Sequence, residues 1–242
     1  MAADPTAQTI LVTGASRGIG REIARQLADR GHRVGIHYRA NEAAARAVLA
    51  ELGDPAAVAR LWAEASAALG PIDVVVNNAA AHGEHPPLAT DYADWGAAWQ
   101  RIIATNLLGP ANLSHLAARA MAAAGGGRIV NISSRGAFRG EPDAPAYGAS
   151  KAGLNALSHT LAKALAPRGV LVYCLAPGWV ETAMAAATLA GPRGADVRAQ
   201  HPLGRLTQAA EVARAAVFCA LDAPAAMTGA IIDINGASYL RT

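Results

Sequence analysis

The 242-residue sequence contains little cysteine, few aromatic residues and few charges. Its two cysteines, Cys174 and Cys219, each lie in an apolar stretch. We interpret them as small buried side chains of a protein from a reduced compartment, rather than as a disulfide. Aromatic residues make up 5% of the chain and charged residues 16%, against 52% hydrophobic residues. This balance excludes a disordered chain and predicts a sizeable core.

Membrane spans and targeting signals are also missing. No apolar run reaches the roughly 18 residues that would predict a membrane span. The first nine residues lack the basic start and apolar stretch of a signal peptide. We therefore predict a cytoplasmic protein with no membrane association. The net charge is only +3 and the arginines are scattered, which argues against a nucleic-acid partner.

Apolar runs alternate with alanine-rich stretches along the chain. The candidate strands are 9–13, 33–38, 72–77, 128–133, 170–176 and 230–234, and the main candidate helices are 94–123, 144–166 and 209–221. This alternation predicts a parallel sheet with right-handed crossovers and helices on both faces. There is no linker or repeat. We therefore predict an α/β fold with one Rossmann-type doubly wound domain spanning residues 1–242.

The crossover after the second strand is unusually short. Only 12 residues separate Arg39 from Glu51 (51 − 39). A strand over 47–51 would leave just residues 40–46 for the return, whereas a parallel crossover needs about 10–12 residues. We predict that a helix in this crossover is stunted, or that the additional edge strand near 47–51 is very short or missing.

A glycine-rich turn follows the first strand. Gly14, Gly18 and Gly20 form the pattern G-x-x-x-G-x-G between a β-branched strand and a helical stretch. Such a strand, turn and helix can hold a pyrophosphate on backbone N–H groups at the helix N-terminus. The second strand ends without the carboxylate that would bind a ribose 2′-hydroxyl. Arg17 and Arg39 would instead suit a 2′-phosphate, although both could simply be solvated. We predict NADPH/NADP+ as cofactor and regard NAD(H) as the less favoured alternative.

A second motif places Tyr147 four residues before Lys151, with Ser134 upstream. On a helix these two side chains share one face. A nearby ammonium could lower the tyrosine pKa toward neutrality, which would make the pair a proton donor and acceptor for an alcohol or carbonyl. Asp143 and Pro145 predict a capped start for this helix. The alternative is a surface Tyr and Lys on an ordinary helix.

In order, these motifs resemble the short-chain dehydrogenase/reductase family, and within it the 3-oxoacyl-carrier-protein reductase-like members. The resemblance also includes Asn77-Asn-Ala-Ala80, Asn106, Pro177-Gly-Trp-Val-Glu-Thr182 and the segments 202–206 and 228–236. It implies a catalytic set of Asn106, Ser134, Tyr147 and Lys151. It also implies cofactor contacts from Gly14, Ser16, Arg17, Gly18, Ile19, Gly20, Arg39, Asn77, Ala79, Tyr147, Lys151, Pro177, Gly178, Val180 and Thr182. A homodimer or homotetramer, assembled through the central helices and the last strand, follows from the same resemblance.

The predicted function is NADPH-dependent, reversible reduction of a small-molecule carbonyl to an alcohol. A small ketone, aldehyde or sugar-like substrate is favoured over an acyl-carrier thioester, and an NAD-dependent alcohol dehydrogenase is a further alternative. A different class is a non-catalytic NADP(H)-binding sensor or scaffold. His82 and His85 could suggest a metal, but no third ligand is evident nearby, so we predict no metal site. Arg135 and Arg139 could meet an anionic substrate or be surface charges.

Overall fold

A central parallel sheet organises the computed structural model, which describes residues 7–38, 47–49 and 51–241. Its strands are β1 (Thr9–Thr13), β2 (Arg33–Tyr38), β3 (Ala47–Leu49), β4 (Val74–Asn77), β5 (Gly127–Ile132), β6 (Val170–Pro177) and β7 (Ile231–Ile234). The α-helices are α1 (Gly18–Asp29), α2 (Pro55–Leu69), α3 (Tyr92–Ile103), α4 (Gly109–Ala123), α5 (Gly136–Arg139), α6 (Pro145–Leu165), α7 (Ala186–Ala190), α8 (Gly194–Ala199) and α9 (Ala209–Leu221). A π-helical segment, Ala104–Leu108, joins α3 to α4.

The strand order is β3-β2-β1-β4-β5-β6-β7, and every neighbouring pair is parallel. The chain builds outward from β1 to β3 and then crosses to β4 on the other side of β1. In doubly wound sheets, ligands bind at the carboxyl ends of the strands where this direction reverses. The crevice beside the ends of β1 and β4 is therefore where the fold favours a ligand.

The predicted doubly wound sheet is confirmed, and β1, β2 and α9 have the predicted bounds. The edge strand β3 is only three residues long and pairs with β2 from Ile36↔Ala47 to Tyr38↔Leu49, as the short crossover predicted. Residues 39–46, which include Arg39 and the stretch where a stunted helix was predicted, lie outside the described residues. The predicted helix over 94–123 is instead three helical segments, because the π-helical turn interrupts it.

Two apolar layers cover the sheet. One contains Ile23 and Leu27 of α1 with Val217 of α9, and the other contains Leu61 of α2 with Leu113 of α4. All five side chains are fully buried, and each such side chain stabilises the fold by about 1.5–3 kcal/mol relative to exposure. The described helices include none that is both long and apolar enough to span a bilayer.

Both cysteines are free thiols inside this core. Cys174 on β6 and Cys219 on α9 are 0% exposed. Burial raises the pKa of each thiol to about 11, so both remain protonated at neutral pH. This confirms the interpretation of the two residues as small buried side chains.

Candidate active site

The glycine turn after β1 packs directly against the chain that leaves β4. Gly14 and Gly18 have φ of +65° and +54°, a region that favours glycine. A Cβ added at Gly14 would lie 2.8 Å from Ala79 Cα. A Cβ added at Gly20 would collide with the Asn78 side-chain amide and come within 2.5 Å of the Gly14 carbonyl oxygen. The glycines therefore let the turn approach β4 closely at the crevice.

Asn78 clamps this turn in place, a role that sequence reasoning missed. Its side-chain amide donates to the carbonyl oxygens of Thr13 and Gly14 at 2.9 and 3.1 Å. The Thr13 hydroxyl accepts hydrogen bonds from the Asn78 and Ala79 backbone amides at 3.0 and 3.1 Å. The only sequence signal was an asparagine immediately after Asn77, because the partners are more than 60 residues away.

The side chain of Asn77 points into the interior instead. It is 3% exposed, and its amide nitrogen donates to Ser114 Oγ at 3.0 Å and Asn131 Oδ1 at 2.8 Å. Asn131 in turn donates to Ser158 Oγ at 2.9 Å. This network joins β4 and β5 to α4 and α6. The Asn77 side chain therefore supports the sheet, and the predicted cofactor contact of this residue is left to its backbone.

The N-terminus of α1 opens into the same crevice. Arg17 occupies the N-cap position with an extended backbone, φ −157° and ψ 170°, and its exposed side chain makes no capping bond. The first turn has no acidic side chain, and the first N–H groups of a helix have no partner within the helix. Ser16 and Ile19 are half-buried on either side of Arg17, and Ile19 packs on the core. This helix end can bind an anion.

Ser134 lies just beyond the carboxyl end of β5. It is 9% exposed, and its hydroxyl oxygen accepts a hydrogen bond from the Gly136 amide at 3.0 Å. The Arg135 amide donates to the Pro177 carbonyl at 2.8 Å, which fastens this turn to the end of β6. Ser134 is thus held rigidly at the edge of the sheet where the crevice opens.

Tyr147 and Lys151 come to the same edge on α6. Lys151 is 2% exposed, and its Nζ donates to the Ile132 carbonyl at the end of β5 at 2.8 Å. Nζ also lies 5.8 Å from the centroid of the Tyr147 ring. Burial lowers the pKa of Lys151 to about 8.

The pKa of Tyr147 is raised, whereas the sequence predicted that it would be lowered. Burial raises it to about 12, the carboxylate of Glu141 adds to this, and hydrogen bonding with Ser134 partly offsets it. The expected lowering by Lys151 is wrong for this arrangement, because the ammonium is directed at the Ile132 carbonyl and burial dominates. The phenol is consequently protonated at neutral pH.

Asn106 lies in the π-helical segment, fully buried. Its side-chain amide donates to the Ala81 carbonyl at 2.9 Å and to Ser150 Oγ at 3.1 Å, and its oxygen accepts from the Ala81 amide at 2.7 Å. Ser150 donates to the Tyr147 carbonyl at 2.7 Å. The side chain therefore ties the loop after β4 to α6 and offers no further polar atom to a ligand. π-Helical turns of this kind are frequent at functional sites.

The segment after β6 faces the glycine turn. Gly178 N–H donates to the Ile234 carbonyl at 3.1 Å, at the end of β7. Val180 forms a parallel bridge with Thr207. The hydrogen bonds of this bridge use the Trp179 carbonyl and the Glu181 amide. The N–H and C=O groups of Val180 itself therefore point away from Thr207. A Cβ added at Gly18 would lie 3.3 Å from Thr182 Cγ2. Pro177 is buried below this segment.

Two loops beside Tyr147 carry the remaining polar candidates. The His82 ring packs edge-on against Tyr147 with 5.0 Å between ring centroids, and burial lowers the pKa of His82. Arg193, in the segment leading into α8, pairs with Asp143 at 2.5 Å and Glu84 at 3.2 Å, all three half-exposed. Within the described ranges, no group of three or more His, Cys, Asp or Glu side chains could hold a metal ion.

Arg135 is not a surface charge. It is 2% exposed, and burial lowers its pKa to about 10, helped by the charge of Arg139. Both guanidiniums donate to Gln200 Oε1, at 2.8 Å from Arg135 and 2.9 Å from Arg139. They therefore fasten the end of α8 beside Ser134, while Arg139 remains exposed.

Comparison with known proteins decides the family. A family model described as enoyl-(acyl carrier protein) reductase matches residues 14–237. The 3-oxoacyl-(acyl-carrier-protein) reductase of Escherichia coli (strain K12) is 38% identical, covering 95% of this chain and 96% of its own length. The chain belongs to the short-chain dehydrogenase/reductase family. It is an oxidoreductase, as the sequence predicted.

Other members of this family are equally similar over their whole length. Cis-4-hydroxycyclohexanecarboxylate dehydrogenase of Sinomonas cyclohexanicum is 39% identical, covering 93% of this chain and 94% of its own. A crystal structure from Beutenbergia cavernae, of a protein called an NAD(P)-dependent gluconate 5-dehydrogenase, has NADP bound at low occupancy. It superimposes with a TM-score of 0.85 at 35% identity and covers 96% of this chain and 98% of that one.

Proposed function

We propose that the protein is an NADP(H)-dependent oxidoreductase that interconverts a small-molecule carbonyl compound and an alcohol. The observation that carries this proposal is the gathering of Ser134, Tyr147 and Lys151 at the carboxyl edge of the sheet. Lys151 Nζ lies 5.8 Å from the Tyr147 ring there. A hydroxyl, a phenol and an amine on rigid elements are the groups that proton transfer at a carbonyl oxygen requires.

The crevice residues fit a dinucleotide. The glycine turn forms a cradle that a Cβ at Gly14 would fill, and the first-turn amides of α1 face it without a competing carboxylate. We infer that the pyrophosphate side of the cofactor is held by the glycine turn and the start of α1, with Ala79 packed beneath. The residues are Gly14, Ser16, Arg17, Gly18, Ile19 and Gly20. On the nicotinamide side, the free peptide groups of Val180, the Thr182 side chain and the turn at Pro177 and Gly178 would hold the carboxamide.

Arg17 supports a preference for NADPH. Its exposed guanidinium stands at the N-cap of α1 with no capping bond, and a phosphate monoester accepts bidentate hydrogen bonds from such a group. The strand β2 ends in His37 and Tyr38, with no carboxylate to bind a ribose 2′-hydroxyl. The NADP in the related Beutenbergia cavernae structure is consistent with this. Arg39 remains a predicted second contact.

Each residue of the predicted catalytic set has a distinct role in the proposed reduction. Bound NADPH supplies the hydride. The Tyr147 phenol, protonated because burial raises its pKa to about 12, donates a proton to the carbonyl oxygen. Ser134 donates a hydrogen bond that orients this oxygen. Lys151 would bind the nicotinamide ribose hydroxyls and restore the Tyr147 proton, with Asn106 contributing to a relay from solvent through the backbone of its π-helical turn.

The polar surroundings of Tyr147 support a small polar substrate. The imidazole of His82 touches the phenol ring, and the Arg193, Asp143 and Glu84 cluster adds charges nearby. The names of the relatives include an acetoacetyl-CoA reductase from Rhizobium meliloti and a cis-4-hydroxycyclohexanecarboxylate dehydrogenase. Both names describe conversion between a carbonyl compound and an alcohol.

We further infer a homodimer or homotetramer. Ala149, Ala152 and Ala156 form an exposed small-residue face of α6, which permits close approach of another helix. Among the described residues, β7 is the last strand of the sheet and pairs only with β6, while on its outer edge the Ile231 carbonyl accepts a hydrogen bond from Arg241 at 2.6 Å. Both features agree with assembly through the central helices and the last strand.

Replacing Tyr147 by phenylalanine tests the proposal. The Tyr147→Phe variant keeps the ring but loses the donated proton, so we expect turnover to fall by about a thousandfold or more while NADPH affinity changes less than about threefold. Substrates for this test are acetoacetyl-CoA, 4-oxocyclohexanecarboxylate and 5-ketogluconate. Turnover by the variant at the wild-type rate would refute the role of Tyr147. NADPH binding without any turnover by wild type would favour the non-catalytic alternative.

A further inference from the structure

We infer that His85 is a positioning residue for Tyr147, because its imidazole caps the N-terminus of helix α6. This inference rests on the proposed function, in which Tyr147 is the proton donor. His85 belongs to the loop after β4 and is 61 residues away from α6 in sequence. Its pairing with His82 in sequence suggested a metal, but the two rings have different contacts.

The first turn of α6 needs a cap from outside. The N-cap residue, Ala144, has no polar side chain, and Asp143, predicted to cap the helix, is instead paired with Arg193. The Tyr147 amide donates to the Ala144 carbonyl at 3.0 Å, so its N–H is satisfied locally. The Ala146 amide is one of the first N–H groups of the helix, which no helical carbonyl can satisfy.

His85 satisfies that amide. Ala146 N–H donates to His85 Nε2 at 3.1 Å, so Nε2 must be unprotonated. Nδ1 lies 2.9 Å from the Gly83 carbonyl, which can only accept, so Nδ1 carries the proton. The ring is 2% exposed and packs against Trp95 with 5.6 Å between centroids. The Ala146 amide and the Gly83 carbonyl together therefore fix the Nδ1–H tautomer of His85.

The cap adjoins the proton donor directly. Tyr147 follows Ala146, so fraying of this turn would move the phenol relative to Ser134. Lys151, one turn further on, is held separately by the Ile132 carbonyl. The His85 backbone is held separately too, since its amide donates to the Asp143 carbonyl at 2.7 Å. Removing the imidazole should thus loosen Tyr147 while leaving the loop, Lys151 and the glycine turn in place.

Kinetics of three variants test this role. We expect His85→Ala to lower kcat by roughly tenfold to a hundredfold, because a displacement of about 1 Å in a catalytic group can cost that much. The KM for NADPH should change less than about threefold. His85→Gln offers an acceptor oxygen near the position of Nε2 and should recover most of the kcat. His159→Ala, an exposed histidine on the same helix, is the matched control and should behave like wild type.

The tautomer of His85 gives a readout that does not depend on turnover. Long-range proton–nitrogen NMR of wild-type protein labelled with ¹⁵N-histidine should show the Nδ1–H form for His85, identified by the signal that His85→Gln lacks. An Nε2–H tautomer would overturn the inference. So would wild-type kcat in His85→Ala, failure of His85→Gln to restore activity, or equal losses in kcat and in NADPH affinity. Full activity of Tyr147→Phe would instead overturn the proposed function and leave the capping geometry standing.

Discussion

Burial of the charged Lys151 side chain destabilises the folded protein, so replacing this residue by methionine should increase the free energy of unfolding. The side chain is 2% exposed, and burial lowers its pKa from 10.5 to about 8. A difference of roughly 2.5 units corresponds to about 3 kcal/mol of unfolding free energy below pH 8. Methionine has a similar length but no charge. It loses the hydrogen bond from the ammonium to the Ile132 carbonyl, which costs about 2 kcal/mol because the donor is charged.

The net expectation for Lys151→Met at pH 7 is a gain of about 1 kcal/mol in the free energy of unfolding, with loss of turnover. For a chain of this size the melting temperature would rise by roughly 2–4 °C. Between pH 8 and pH 10.5 the unfolded lysine binds more protons than the folded one. Wild-type stability therefore rises through this range relative to the variant. The advantage of the variant should be largest below pH 8 and shrink toward pH 10.5.

Urea unfolding of both proteins at pH 7 and at pH 9.5, without cofactor, measures this directly. Titration of other groups affects both proteins alike, so the difference between their unfolding free energies isolates Lys151. A variant that is less stable than wild type at pH 7 would refute the reasoning. A difference that does not change with pH would show that the lysine is not destabilised by burial.

Two further predictions concern the cofactor and the substrate mouth. In fluorescence titrations, Arg17→Ala should weaken NADPH binding by about tenfold, or about 1.4 kcal/mol, and leave NADH binding nearly unchanged. Equal weakening of both cofactors would contradict the contact between Arg17 and the 2′-phosphate. Arg193→Ala should raise the KM for the carbonyl substrate by roughly threefold in steady-state kinetics, because the ion pairs of Arg193 join two loops beside Tyr147. The free energy of unfolding in urea should change by less than about 1 kcal/mol, because these ion pairs are half-exposed. An unchanged KM would exclude this role of Arg193.

The sequence predicted the parts of the fold whose signals are local. The strands β1 and β2 and helix α9 were bounded correctly because apolar runs end there at turn residues. The three-residue strand β3 followed from counting the residues available for a crossover. The glycine turn was identified from its spacing and flanks, and positive φ at Gly14 and Gly18 agrees with it.

What sequence reasoning missed depends on partners distant in the chain. The π-helical turn coincides with long-range hydrogen bonds from Asn106 to Ala81, which leave no trace in helical periodicity. The raised pKa of Tyr147 follows from burial, which its spacing from Lys151 does not encode. Asn77 and Asn78 are adjacent in one motif, yet the side chain of Asn77 points into the interior and that of Asn78 holds the glycine turn. The cap on α6 comes from another loop, whereas local rules pointed to Asp143.

Transfer of deuterium from NADPH to a product tests the central claim most directly. Wild-type protein would be incubated with NADPH deuterated at C4 on either face, together with each of the three carbonyl compounds named above. We expect one of the two deuterated faces to place a single deuterium on the carbinol carbon of the alcohol formed from at least one compound. NADPH that binds but is not consumed with any of them would contradict the account and favour a non-catalytic NADP(H)-binding protein.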